Sequence, residues 1–150
     1  MYEKRLIDLA LEARKRAYCP YSHFAVGAAL LCQDGTIYTG CNIESSAYTP
    51  TICAERTAIF KAVSEGKREF ICLAVAGGRE DADILPITTP CGVCRQVMME
   101  FCNPQTFLIF CASSPENYKA YTLAQLLPKG FGPTNLNSVS YTHLTLPTTP

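Results

Sequence analysis

The sequence contains two short cysteine motifs whose side chains could bind a metal ion and move a proton. The first places Cys53, Glu55 and Arg56 close together in the chain, and the second contributes Cys91 and Cys94. Three cysteine thiolates are suitable ligands for tetrahedral zinc, and a site with three protein ligands keeps its fourth position open for catalysis. A structural zinc site is closed by four protein ligands. The sequence therefore indicates a catalytic zinc site with a carboxylate beside its opening.

Helix geometry restricts where these side chains can meet. Residues two apart on a helix point in nearly opposite directions, so Cys53 and Glu55 can serve one site only where a helix begins. Cys91 and Cys94 are three apart and are neighbours on one helical face. Two helix N-termini would then converge on one ion, and their partial positive charges would offset the net negative charge of a three-thiolate zinc site. Arg56 could hydrogen-bond the sulfurs and withdraw further charge.

Cysteines at this spacing also occur in structural and redox sites. A lone Cys-x-x-Cys motif often belongs to a structural zinc site or a redox centre. A closed four-cysteine site could include Cys41, but it would leave Glu55 and Arg56 without a role. A thioredoxin-like redox motif would leave Cys53 idle. The two motifs together therefore favour catalysis.

Composition limits the kinds of partner that the chain can have. Its 150 residues suffice for one well-buried core, and we expect one domain. Thirteen basic and thirteen acidic residues cancel, which favours a small neutral ligand and gives no reason to expect nucleic acid or membrane-surface binding. The start from Met1 to Arg5 has no apolar signal-peptide core, and no later apolar run is long enough to span a bilayer. We therefore expect a cytoplasmic protein.

The chain has nine cysteines, an odd number that argues against a complete disulfide framework. In the reducing cytosol, cysteines are better interpreted as metal ligands or small buried hydrophobic residues. The cysteines outside the two motifs lie mostly in or beside apolar runs, and we expect them to pack in the core: Cys19, Cys32, Cys41, Cys72, Cys102 and Cys111.

Hydrophobic periodicity and turn residues predict alternating helices and strands. The predicted helices cover residues 2–18, 53–65, 91–101 and 123–127, and the predicted strands cover 24–32, 36–39, 70–76, 106–112 and 118–121. Asp34-Gly35 makes the turn of an opening hairpin, and a loop covers 77–89. This alternation predicts an α/β layered sandwich with a mixed sheet.

Residues around the opening hairpin are candidates for ligand binding. In an extended chain, Asn42 and Glu44 present an amide and a carboxylate to the same side. By residue type alone, they would also fit a turn at the surface. Phe24 could line a ligand site or belong to the core, and His23 fits an exposed loop better than a metal site.

The end of the chain differs in composition from the rest. From Thr134 to Pro150 it contains no Asp, Glu, Lys or Arg and is rich in threonine. Residues 139–148 resemble a translated sequencing adapter. We therefore assign residues 1–137 to the catalytic domain and interpret 138–150 as a non-native or disordered tail, in which His143 has no function.

Several motifs match one known family in order and spacing. Cys-Ala-Glu at 53–55 and Pro-Cys-Gly-x-Cys-Arg-Gln at 90–96, with Asn-Ile-Glu at 42–44 upstream, resemble the small homotetrameric cytidine deaminases. The resemblance extends from the first helix to Pro133. It implies a three-layer α/β/α sandwich around a mixed sheet of about five strands and one Zn²⁺ per subunit. It also implies a homotetramer with shared active sites.

The activity that this resemblance implies is hydrolytic deamination of cytidine and deoxycytidine to the uridines, with release of ammonia, in pyrimidine salvage. Glu55 would carry protons from the attacking water to N3 of the base and to the leaving amino group. The remaining residues that the resemblance assigns to the site would contact the nucleoside. They are the Ala54 N–H on the base carbonyl, the Thr89 carbonyl on the amino group, Asn42 and Glu44 on the ribose, Phe24 against the nucleoside, and Phe131 in a neighbouring subunit's site.

The same zinc motifs are compatible with two alternative functions. A deaminase for a cytosine-bearing antibiotic of the blasticidin type resembles the family in its zinc motifs, although the Asn42 and Glu44 pair argues against it. A non-catalytic binding module stabilised by zinc would hold four protein ligands and turn over no nucleoside. Deoxycytidylate and transfer-RNA adenosine deaminases usually carry His-Ala-Glu where this chain has Cys-Ala-Glu.

Overall fold

The computed structural model describes residues 2–136. Its helices are α1 (Tyr2–Arg14), α2 (Ala54–Ser64), α3 (Gly92–Phe101), α4 (Leu123–Leu126) and α5 (Pro133–Leu136). Its strands are β1 (Phe24–Cys32), β2 (Ile37–Cys41), β3 (Phe70–Arg79), β4 (Leu108–Ser114) and β5 (Asn117–Thr122). The predicted alternation of helices and strands is confirmed.

The strands form a five-stranded mixed sheet in the order β2-β1-β3-β4-β5. Strand β1 is antiparallel to both β2 and β3, β3 is parallel to β4, and β4 is antiparallel to β5. The turn between β1 and β2 contains Gly35 at φ 92°, a left-handed conformation that glycine adopts without a steric penalty. The parallel pair needs a crossover connection, and the segment that contains α3 provides it.

Helices cover both faces of the sheet. On one face α1 packs against Cys72 and Ala74 of β3, and on the other face α2 and α3 pack against Leu73 and Val75. Because successive residues of a strand point to opposite faces, β3 is buried on both sides, as its continuous apolar sequence predicts. The three-layer α/β/α sandwich is confirmed.

Helix α2 lies very close to β2 at Gly40. A Cβ atom at this position would come within 2.6 Å of the Ala54 carbonyl oxygen and 2.7 Å of the Ala58 amide nitrogen. Glycine, which has no side chain, lets the two backbones approach this closely. The sheet therefore fixes the position of the first turn of α2.

Some predicted boundaries are wrong. Helix α1 ends at Arg14 and not at Tyr18, and the Arg14 guanidinium bonds the carbonyls of Ala25, Gly78 and Arg79 at the ends of two strands. These long-range bonds fix the end of the helix to the sheet. Strand β3 continues to Arg79, three residues into the predicted loop, because it stays paired with β1 over that length.

The described chain ends in a short helix. Residues 134–136, which the sequence analysis assigns to the catalytic domain, belong to α5, where Asn135 hydrogen-bonds Gly132 through both its backbone and its side chain. The boundary proposed after residue 137, the predicted tail and His143 lie outside the described residues.

The structure also tests the cysteine assignments. All nine cysteines fall within residues 2–136 and are free thiols. Those predicted to pack in the core are buried, except Cys41, which is partly exposed. In the same part of the chain, no helix combines the length and the apolar character needed to cross a membrane.

Candidate metal centre and active site

The side chains of Cys53, Cys91 and Cys94 meet where α2 and α3 begin. Their Sγ atoms all lie within 4.8 Å of one another, and those of Cys53 and Cys91 are 3.6 Å apart. Cys53 is the N-cap of α2 and Cys91 is the N-cap of α3. Both have extended backbone, and neither thiol caps the backbone N–H groups at the start of its own helix. The two N-cap thiols are thus available to a shared site.

This group of donors fits zinc. Thiolate sulfur lies about 2.3 Å from Zn²⁺, so two sulfurs on a tetrahedral ion are about 3.8 Å apart. The 3.6 Å between the sulfurs of Cys53 and Cys91 is close to that value. Within residues 2–136 the group contains no fourth ligand, and Cys41 is not a member. Three sulfurs leave one corner of the tetrahedron open, which argues against the closed four-cysteine alternative.

The cysteines influence one another's ionisation. Hydrogen bonding with Cys94 lowers the pKa of Cys53 to about 5, with further help from Arg56 and Cys91. The same bond, together with burial, raises the pKa of Cys94. Cys53 therefore ionises more readily than Cys94. Cys53 lies at the start of α2, where the partial positive charge of the helix also favours an anion.

Glu55 lies in the first turn of α2 and is only 4% exposed. Burial raises the pKa of its carboxyl group to about 7, and the negative charge of Cys53 contributes in the same direction. Hydrogen bonding with Cys94 acts in the opposite direction and lowers the pKa of this carboxyl group, which lies beside the sulfurs. A carboxyl group with a pKa near neutrality can both accept and donate a proton.

Arg56 turns toward the cysteines. Its Nη2 donates to the Cys53 sulfur at 3.2 Å, so the hydrogen bond predicted from the sequence is present. Its Nε is buried and has no hydrogen-bond partner among the described residues. A guanidinium at this distance stabilises a thiolate and draws charge from it.

Asn42 is buried between β2 and the start of β1. Its Oδ1 accepts from the Val26 amide at 2.9 Å, and its Nδ2 donates to the Phe24 carbonyl at 2.8 Å. These two bonds fix the backbone on either side of Ala25. The amide of Asn42 thus holds Phe24, which is half-buried at the start of β1.

Glu44 holds the loop before β1. Its carboxylate accepts from the backbone amides of Tyr21 and Ser22, at 3.0 and 3.1 Å, and from the Ser22 hydroxyl. The Ser22 hydroxyl bond is the largest of several effects that lower the pKa of Glu44. The group is therefore a carboxylate at neutral pH. A cavity of about 380 Å³ lies beside it, lined by Tyr21, Ser22, Glu44, Ser45, Tyr48 and Thr51.

A short backbone bridge connects this region to the cysteines. Ile43 and Ile52 exchange two backbone hydrogen bonds of 3.0 Å. Asn42 and Glu44 flank Ile43, and Cys53 follows Ile52 in the chain. The bridge therefore brings the two candidate ribose-binding residues near the start of α2.

Thr89 and Phe131 are both exposed, and both are held by residues of α3 that the sequence analysis left without a role. Arg95 donates to the Thr89 hydroxyl, and Gln96 donates to the Phe131 carbonyl at 2.8 Å. Arg95 and Gln96 directly follow the ligand Cys94 in the chain, and this position was the sequence signal that could have identified them as residues that support the site. Ala54, the first residue of α2, is buried, and its N–H is one of those that a helix start leaves without an intrahelical acceptor.

A mixed sheet covered on both faces, with two helix starts that present three thiols beside a buried carboxyl group, defines a zinc-dependent enzyme of the α/β class. Residues 1–110 match the family model described as the cytidine and deoxycytidylate deaminase zinc-binding region. The chain belongs to this family.

Individual relatives match over most of their length. A cytidine deaminase of Sporosarcina psychrophila is 50% identical over 134 residues, which cover 89% of this chain and 94% of that protein. A cytidine deaminase of Halalkalibacterium halodurans is 44% identical over 91% of this chain and 99% of its own length. The crystal structure of cytidine deaminase from Burkholderia pseudomallei superposes with a TM-score of 0.76 at 41% identity, covering 85% of this chain and 97% of that one.

Proposed function

We propose that the chain is a zinc-dependent cytidine deaminase that hydrolyses cytidine and deoxycytidine to the uridines and ammonia, a reaction of pyrimidine salvage in the cytoplasm. The observation that carries the proposal is the meeting of three cysteine sulfurs within 4.8 Å of one another beside the buried Glu55. The names of the relatives support the choice of substrate.

Each residue of the site has a distinct task in this proposal. Cys53, Cys91 and Cys94 hold Zn²⁺, which when bound supplies a Lewis acid that makes water a nucleophile near neutral pH. Glu55 takes one proton from the attacking water and delivers it to N3 of the base, and it then moves the second proton of that oxygen to the leaving amino group. Proton transfer by a positioned carboxyl group is worth about 10²- to 10⁴-fold in rate. Arg56 keeps Cys53 in the thiolate form through its 3.2 Å hydrogen bond.

The remaining groups orient the nucleoside. The Ala54 N–H, at the helix start, binds the carbonyl of the base, and the Thr89 carbonyl accepts from its amino group. Asn42 and Glu44 bind the ribose hydroxyls, and Phe24 packs against the nucleoside. Asn42 and Glu44 keep acceptor or donor capacity beyond the bonds that they make to the chain.

We further propose a homotetramer in which Phe131 reaches the site of a neighbouring subunit. Phe131 has 57% of its surface exposed, which is a large exposure for a phenylalanine. Tyr48, with 72% exposed, and Tyr18, with 56% exposed, add further apolar surface that an interface would cover. Light scattering or analytical ultracentrifugation of the purified protein measures the state directly.

The decisive experiment replaces Glu55 with Gln, which keeps the shape of the side chain and removes its proton chemistry. We expect Glu55→Gln to keep one zinc per chain and to lose cytidine turnover by about 10²- to 10⁴-fold. Glu100→Gln, which changes an exposed glutamate of α3, is the matched control and should retain full activity. Unchanged turnover in Glu55→Gln would remove Glu55 from this role.

A comparison of substrates tests the choice of nucleoside. Turnover of cytidine and deoxycytidine by the wild-type protein, with and without a chelator, should be far faster than turnover of blasticidin S. The reverse preference would favour the antibiotic deaminase. A protein that binds zinc but converts none of these compounds would be the non-catalytic module.

A further inference from the structure

Arg95, in the first turn of α3, hydrogen-bonds three separate oxygen atoms. Its Nε donates to the Pro90 carbonyl at 2.7 Å, its Nη2 to the Thr89 hydroxyl at 2.9 Å, and its Nη1 to the Leu126 carbonyl at 2.6 Å. All three acceptors are uncharged, and no carboxylate within residues 2–136 forms an ion pair with this guanidinium. Arg95 therefore connects segments of chain and does not neutralise an acid.

Two of the three acceptors belong to the residues immediately before the N-cap Cys91. The guanidinium hydrogen-bonds this segment at the Thr89 side chain and at the Pro90 carbonyl. Among the described residues, none donates a hydrogen bond to the carbonyl of Thr89 itself. The segment is thus held on both sides of that carbonyl, which stays available as an acceptor.

The third acceptor lies at the end of α4, and the neighbouring residues of α3 extend this attachment. Gln96 Nε2 donates to the Phe131 carbonyl at 2.8 Å. A Cβ atom on Gly132 would come within 3.0 Å of the Met99 Cε atom, so the chain passes directly over α3. One side of α3 therefore anchors both the segment before its own start and the chain from Leu126 to Gly132.

We propose that Arg95 is a positioning residue for recognition of the 4-amino group of the base, acting through the Thr89 carbonyl. This rests on the proposed deaminase function, in which that carbonyl accepts from the amino group. The planar guanidinium reaches its acceptors in fixed directions, whereas a lysine ammonium is a single point charge and cannot reproduce them. Displacing a binding group by about 1 Å can lower turnover by about 100-fold.

The first test is Arg95→Lys, with Arg68→Lys as the matched control. Arg68 also donates to two backbone carbonyls, those of Val63 and Lys67, but at the far end of α2. For each protein we would measure zinc content, thermal unfolding, kcat and KM for cytidine, and inhibition by uridine. Uridine carries an oxygen in place of the amino group and donates nothing to the Thr89 carbonyl.

We expect Arg95→Lys to keep its zinc and to lose about 10- to 100-fold in kcat/KM for cytidine, while the inhibition constant for uridine stays close to that of wild type. Arg68→Lys should match wild type in both measurements. Equal weakening of cytidine and uridine, or unchanged cytidine turnover, would overturn the proposal. If wild-type protein with full zinc does not convert cytidine, the proposed function itself fails.

A second variant keeps the test decisive if Arg95→Lys does not fold. Thr89→Val preserves the shape of the side chain and the backbone carbonyl but removes the hydroxyl that Arg95 holds. We expect a loss of about 10-fold in kcat/KM for cytidine, the effect of one charge-assisted hydrogen bond, again without a change in uridine inhibition. Unchanged kcat/KM for cytidine in Thr89→Val would overturn the proposal. Where Arg95→Lys does fold, a double-mutant cycle adds a further test, in which Thr89→Val should cost little once Arg95 is lysine. Additive losses would show that Arg95 does not act through Thr89.

Discussion

The starts of α2 and α3 have the same backbone geometry but carry different side chains. Each follows a cysteine N-cap in extended conformation, and each has an arginine within its first turn, Arg56 or Arg95. Arg56 donates to the sulfur of Cys53, whereas Arg95 donates to three oxygens of the surrounding chain. The first turn of α2 also contains Glu55, while that of α3 contains no acidic residue.

This comparison separates two tasks within one site. The start of α2 directs charged groups at the sulfurs, so substitutions there should change the reactivity of the site. The start of α3 supplies two of the three thiols and holds the adjacent chain, so substitutions there should change metal binding and substrate position. A common helix geometry supports both tasks because the arginine turns toward the sulfur of Cys53 in one helix and toward oxygens of the surrounding chain in the other.

The largest effect should come from removing the buried ligand of α3. Cys94→Ala takes away one of three sulfurs, so we expect loss of zinc and a fall in activity greater than the roughly 10- to 100-fold typical of groups that only support a ligand. Metal analysis and a cytidine assay measure both. Cys111→Ala, at a buried cysteine of β4 outside the group, is the control and should keep its zinc. Retained zinc in Cys94→Ala would show that Cys94 is not a zinc ligand.

Substitution of Arg56 should have a smaller effect than loss of Cys94, because Arg56 hydrogen-bonds a metal ligand but does not itself bind the metal. Arg56→Gln removes the charge beside the Cys53 sulfur, and we expect zinc affinity or turnover to fall by about 10- to 100-fold. Competition with a chelator measures the affinity. If Arg56→Gln behaved like Arg95→Lys, with zinc retained and only cytidine recognition weakened, the two helix starts would not differ in the way described above.

Two glycines, one in β2 beside the start of α2 and one in the first turn of α3, offer a test of packing. Gly40→Ala would force a Cβ atom to 2.6 Å from the Ala54 carbonyl, so we expect a loss of about 1–3 kcal/mol in the free energy of unfolding. Gly92→Ala, in the first turn of α3, meets no heavy atom within 4 Å and should leave stability nearly unchanged. Denaturant unfolding of both variants gives the comparison. Equal stabilities would show that the sheet does not fix the start of α2.

The smallest effect should lie at the surface, away from both helix starts. Hydrogen bonding to Lys67 lowers the pKa of Asp34 to about 2. A lowered folded-state pKa means that this contribution to stability is present above the unfolded-state pKa of about 4 and is lost as pH falls toward 2. Wild type should therefore lose slightly more stability than Asp34→Asn between these pH values. The measurement is the difference in the free energy of unfolding between wild type and Asp34→Asn at each pH. Acid releases zinc from both proteins alike, so this effect cancels in the difference. Parallel pH profiles would contradict the prediction.

Features of the site that depend on local sequence could be predicted. Helix starts at the two N-cap cysteines follow from residue spacing and helix geometry, and the observed helices begin within one residue of the predicted positions. The bond from Arg56 to Cys53 joins residues three apart, so helical spacing alone brings them together. Strand β1 has the predicted bounds because its apolar run ends at a clear turn.

Features that depend on distant parts of the chain could not be predicted. Asn42 bonds residues 16 and 18 positions away, Glu44 bonds residues 22 and 23 positions away, and Arg95 reaches a carbonyl 31 positions away. No periodicity encodes such contacts, because they arise only once the sheet has formed. The same reason explains the early end of α1, where Arg14 bonds carbonyls 64 and 65 positions ahead.

The separation of the cysteines along the chain also bears on unfolding. Cys53 and Cys91 are 38 positions apart, so an ion held between them acts as a reversible crosslink that encloses α2 and β3 in a loop. The enclosed strand cannot leave the sheet freely while both sulfurs hold the metal. Raising free zinc should therefore raise the melting temperature by mass action, which makes metal supply a determinant of the protein's lifetime as well as of its chemistry.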